Sequence, residues 1–97
     1  MEKVFMNSIH QGYNSHDLSI YDYKGRRIKV VYQTYNANEI CETYLFDGNK
    51  WNLIFSLMDL GIMPTKGAYL WDESKRKAQA KKFSGMMIYA VKTLLDA

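Results

Sequence analysis

The most constraining stretch of this chain is LSIYDYKGRRIKVVYQTY, Leu18 to Tyr35. Two runs rich in β-branched and aromatic residues, Leu18–Tyr23 and Arg26–Tyr35, flank Lys24-Gly25. Such runs favour strands, and a two-residue link with glycine second suits a hairpin turn. Pairing outward from that turn sets Asp22 opposite Arg27, Tyr21 opposite Ile28 and Ile20 opposite Lys29. Asn36-Ala37-Asn38-Glu39 reads as a second turn and ICETYLF, Ile40–Phe46, as the returning strand, closed by Asp47-Gly48-Asn49. The expectation is a three-stranded antiparallel meander over 18–46. KVFMNSI is a candidate fourth strand, and QGYNSHD (11–17) is expected as a loop.

Alternation along a strand assigns the faces. One face takes Tyr21, Tyr23, Ile28, Val30 and Tyr32, with Cys41, Thr43 and Leu45, and is the better core. The other takes Arg27, Lys29, Val31, Gln33 and Tyr35, with Ile40, Glu42, Tyr44 and Phe46.

Beyond the meander the period changes. Trp51, Ile54, Phe55 and Met58 fall at three- and four-residue spacings, which predicts a short helix over 50–60 with Asn49 as its cap and Gly61 after its end. Phe83, Met87, Ala90 and Leu94 repeat in the same way, flanked by Met86, Val91 and Leu95. They predict a long amphipathic helix over 72–95, capped by Asp72 and packed on one sheet face. Gly85 costs this helix about 1 kcal/mol relative to Ala, and its angle places it away from the stripe. Strands followed by helices make an α+β domain, and 97 residues make one domain, 1–97.

Composition narrows the function classes. The 47% hydrophobic and 24% charged content is that of a folded globular chain. No apolar run approaches the ~20 residues of a membrane helix, and no secretory leader is read at the N-terminus. Cys41 is the single cysteine, so no internal disulfide forms, and a reducing cytoplasm is the expected compartment. His10 and His16, even with Asp17 and Cys41 as companions, have no metal-ligand spacing. No nucleophile motif or phosphate-binding loop is present. The chain is therefore expected to be non-enzymatic, with no catalytic residue, metal or cofactor.

Two surfaces stand out. WDESKRKAQAKK opens the long helix with Lys75, Arg76, Lys77, Lys81 and Lys82. Cations at a helix N-terminus oppose its dipole, so helix stability does not account for them, and an anionic partner does. Their solvation as a polar helix start is the plainer reading. The mixed sheet face places Arg27 and Lys29 beside Tyr35, Tyr44 and Phe46, with charge for phosphates and rings for stacking. Burial of those rings beneath the 50–60 helix is the plainer reading there.

Two functional expectations remain open. The first is a small interaction protein that docks on a protein partner, since Tyr, Trp and Met are enriched at interfaces. Its Lys-, Asn-, Ile- and Tyr-rich usage fits an AT-rich genome, and its concrete form is a phage-encoded inhibitor of a host enzyme or defence system, acting in the host cytoplasm. The second is a nucleic-acid or nucleotide binder using the seven cations named above. A homodimer through a sheet edge or the long helix is compatible with either.

Overall fold

The computed structural model describes residues 1–11, 14–36 and 38–97, with only the backbone of Tyr69. Five antiparallel strands, β1 (Glu2–Gln11), β2 (Asn14–Tyr23), β3 (Arg26–Tyr35), β4 (Asn38–Phe46) and β5 (Trp51–Ser56), pair in chain order as one sheet. Two single 3-10 turns, Met58–Leu60 and Ala68–Leu70, lead to α1 (Glu73–Asp96). The architecture is α+β, with five strands rather than three or four.

The central hairpin has the expected register: Asp22 faces Arg27, Tyr21 faces Ile28 and Ile20 faces Lys29. Lys24 and Gly25 both take positive φ, 49° and 75°, which is the backbone of the favoured two-residue turn. The next pairing, Ile28 with Leu45 through Tyr32 with Cys41, keeps the third strand on the expected face. Asn38 and Glu39 belong to β4 rather than to the turn, and Ala37 lies outside the described residues.

Two regions correct the sequence reading. The QGYNSHD segment supplies the ends of two strands, because Gln11 ends β1, Asn14–Asp17 belong to β2, and Ser15, His16 and Asp17 pair onward to β3. Its Gly12 and Tyr13 lie outside the described residues. The helix expected at 50–60 is strand β5 followed by the Met58–Leu60 turn. Asn49 caps no helix: Asp47 instead accepts the backbone N–H of Asn49 and Lys50, at 2.9 and 2.8 Å, folding a tight β4–β5 connection. The misleading three- and four-residue spacing arises at a bulge. Thr43 faces Phe55 while Tyr44 faces Leu53, so Ile54 is an extra residue, and both Ile54 and Phe55 reach the core.

Helix α1 starts as expected, with Asp72 Oδ1 accepting the Lys75 N–H at 2.8 Å. Its buried line is Arg76, Ala80, Phe83, Met87 and Val91. This line is longer than the predicted stripe and passes through Val91. Leu94 is exposed, because the last turn lies level with the β2–β3 turn, where the sheet ends. The line packs on Ile28, Val30, Tyr32, Cys41 and Leu45, and Phe83 stacks on Tyr32 with ring centroids 6.5 Å apart. A helix of 24 residues is ~36 Å long, close to the ~33 Å of a ten-residue strand. One helix therefore spans the sheet lengthwise. Its far end is tied down: Asp96 accepts from the Tyr23 hydroxyl at 2.8 Å and from Lys24 Nζ at 2.6 Å.

Met87 is wholly buried at the centre of this contact, whereas its neighbour Met86 points outward. Met87→Ala is expected to cost about 2–5 kcal/mol, and Met86→Ala about 0.5 kcal/mol or less, read from denaturant midpoints. The Asp96 clasp is pH-sensitive. Hydrogen bonds from Lys24 and then Tyr23 hold its carboxyl below the ordinary 3.8. Because the folded value is depressed, the contribution is full above the unfolded value and disappears as pH falls through the folded one. The difference in melting temperature between the native chain and Asp96→Asn should therefore be present at pH 6 and vanish toward pH 2.

Candidate functional site

With α1 on one side of the sheet, no α-helix lies on the other side among the described residues, because the segment expected as a helix over 50–60 is part of the sheet. Cross-strand neighbours build its rows. Phe5, Ile20, Lys29, Tyr44 and Leu53 form one; Asn7, Leu18, Val31, Glu42 and Ser56 form the next; Ile9, His16, Gln33 and Ile40 form a third. Phe5, Ile9, Ile40 and Leu53 are exposed, Leu53 at 53%. Leu18, Ile20, Val31, Tyr44, Phe46 and Trp51 are half-buried, although no helix covers them. They shield one another sideways, as cross-strand pairs do. Five strands ~4.8 Å apart and up to ~33 Å long give a face on the order of 600 Å². That area is the whole face, on which Asn7, His16, Lys29, Gln33, Glu42 and Ser56 stand among the apolar residues.

The charges of this face are engaged within it. Arg27 reaches Asp22 through both Nε (2.9 Å) and Nη2 (3.3 Å), and this bond lowers the Asp22 carboxyl pKa below its ordinary value. Lys29 Nζ stands 4.6 Å from the Tyr44 ring centroid and 4.8 Å from that of Trp51. The Tyr44 hydroxyl donates to Glu42 at 3.1 Å, and burial followed by that carboxylate raises its pKa. Phe46 tilts against Trp51, centroids 5.1 Å apart. Lys29, Tyr44, Phe46 and Trp51 thus form one aromatic end. Tyr35 stands at the far end of β3, six residues from Lys29 and 52% exposed.

The cations of the helix start lie on the opposite side of the sheet, so the seven predicted cations do not share a surface. Arg76 is 4% exposed, and its guanidinium donates to the Trp71 carbonyl. This corrects the expectation of a wholly solvated helix start: the buried line begins two turns before Phe83. Lys77 pairs with Glu73 at 3.2 Å. Lys75 lies 4.8 Å from the Trp71 ring centroid and Lys82 5.5 Å from that of Phe83. Lys81 is exposed, with no carboxylate partner among the described residues.

Sequence reasoning missed Glu39. Placed in a turn, it is in fact 1% exposed beneath the start of α1. It accepts from the Tyr32 hydroxyl at 2.7 Å and from Gln79 at 3.2 Å, linking β3, β4 and the helix. Its position two residues before Cys41 on the same face was the only available signal. His10 and Asp17 do meet, 3.3 Å apart, but His16 projects from the other face. No group of three potential metal ligands forms among the described residues. None of the described helices is long and apolar enough to cross a membrane.

No protein-family model, curated protein or solved structure matches this chain.

Burial, then the carboxylates of Glu39 and Glu42, push the Cys41 thiol up to about 12. The thiolate is the reactive form. Native protein at pH 8 should therefore resist iodoacetamide, and urea-unfolded protein should alkylate at the rate of a free thiol, as followed by mass spectrometry.

Proposed function

We propose that this chain is a small non-enzymatic interaction domain that docks a protein partner against the open face of its sheet. The observation that supports this most is the apolar centre of that face, Leu18, Ile20 and Val31, bordered by Phe5, Tyr44, Trp51 and Leu53, with no α-helix over it among the described residues. An interface core is apolar and rich in aromatic residues, and the face, on the order of 600 Å² in outline, is large enough to seat a partner. The charges favour protein over polynucleotide here. Arg27 and Lys29 are balanced by Asp22 and Glu42 and occupied by contacts within the face.

A second reading, binding of DNA or RNA, rests on the helix start, where Lys75, Lys81 and Lys82 are exposed on neighbouring turns. Its signature is affinity that falls steeply with salt.

One pair of variants separates the two. Val31→Glu places a charge at the centre of the open face without touching the helix-side core. It should retain the native circular dichroism and lose a partner captured after nuclease treatment by at least about tenfold in affinity. The combined change of Lys75, Lys81 and Lys82 to Glu should leave that capture intact. Retention by Val31→Glu, or recovery of nuclease-sensitive material that only the triple variant loses, would replace the first reading with the second.

A further inference from the structure

Helix α1 lies over β3 and β4 and leaves the same side of β1 bare, where every residue except His10 is exposed. The step between helix and strand is a cleft of about 780 Å³, within the ~300–1,000 Å³ of small-molecule sites. We propose that this cleft binds a small organic phosphate with an aromatic or apolar body, about the size of a nucleotide.

Three observations carry the assignment. The first is charge. Lys3, Lys77 and Lys81 line the cleft with one carboxylate, Asp17; Lys77 is paired with Glu73 at 3.2 Å, which leaves Lys3 and Lys81. The Asp17 carboxylate is already engaged by the Ser8 hydroxyl and by His10 Nε2. Lys3 Nζ is held by neutral partners, Met6 Sδ at 3.8 Å and the Tyr21 ring with its centroid 5.6 Å away. Lys81 has no carboxylate partner among the described residues. Ammonium groups left uncompensated along a concave wall attract an anion.

The second observation is unsatisfied polarity. His10 Nδ1 is buried without a partner among the described residues. Buried polar atoms normally have partners, and His10 belongs to the cleft lining.

The third is Gly85, in the interior of α1. A Cβ built there meets nothing within 4 Å, so helix packing does not require glycine. The residue lines the cleft instead, and any side chain at that position would occupy the space a ligand needs. Met6 and Ile88 complete an apolar lining suited to a flat ring.

The test uses the full chain with AMP and 1-naphthyl phosphate as probes, and with adenosine and inorganic phosphate as their separated halves. Both whole probes should raise the melting temperature and give measurable heats of binding, with each half binding at least about tenfold more weakly. Gly85→Leu should fold with an unchanged or higher melting temperature and bind the whole probes at least about tenfold more weakly. Lys81→Glu should lose affinity similarly, while Lys66→Glu, an equal charge change away from the cleft, should not. Absence of binding by both whole probes at millimolar concentration would overturn the proposal. So would undiminished binding by Gly85→Leu, or an equal loss with Lys66→Glu.

Discussion

A single helix must cover a five-stranded sheet, and it is too narrow to do so. Five strands at ~4.8 Å spacing make a sheet ~20 Å across, and a helix with its side chains is ~10 Å wide. The chain places that one helix over β3 and β4, where Ile28, Val30, Tyr32, Cys41, Thr43 and Leu45 are all buried. One candidate surface follows from that shortfall: strand β1 projects beyond the helix and creates a cleft. The other, the open reverse face, follows from Trp51–Ser56 joining the sheet as a strand.

The covered side is polar as well as apolar. Ser15 and Thr34 share a hydrogen bond of 2.7 Å, Thr43 donates to the Lys29 carbonyl at 3.2 Å, and Glu39 gathers Tyr32 and Gln79. Of these contacts, the one between Gln79 and Glu39 joins helix to sheet, and a shift of the helix along its axis would break it. A purely apolar contact would tolerate sliding. Burial also pushes the Tyr32 phenol well above its ordinary range, with the Glu39 bond acting in the same direction. It therefore remains a donor to that carboxylate at any physiological pH.

Much of this fold was legible in the sequence. The Lys24-Gly25 turn and strict alternation on both sides of it determine register, because a slip of one residue would expose Ile28, Val30 and Tyr32 together. The long helix was legible from its stripe and its Asp72 cap. Strand β5 was not, since six residues with a bulge imitate helical spacing and a short apolar run does not distinguish the two. That one misassignment hid the open face, because a helix at 50–60 would have covered the Tyr44 and Phe46 rings. The cations illustrate a different limit. Their identity was plain, and the helical angle of Arg76 puts it near the Phe83 and Met87 stripe, but the distribution of the cations across two sides of a sheet depends on packing that no local pattern encodes. The cleft was illegible for the same reason: Lys3 and Lys81 are 78 positions apart in the chain.

The strand order β1-β2-β3-β4-β5 bears on how the chain reaches this structure. Every strand pairs with its sequence neighbour, so the whole sheet can zip from the Lys24-Gly25 hairpin outward through short loop closures, which cost little entropy. The helix, with the turn before it, has remote partners, β3 and β4. Its last turn returns across 72 residues to reach Lys24. In chain order the lysine-rich opening of α1 comes before Phe83, Met87 and Val91, so the polar turns of the helix precede the residues that dock on the sheet.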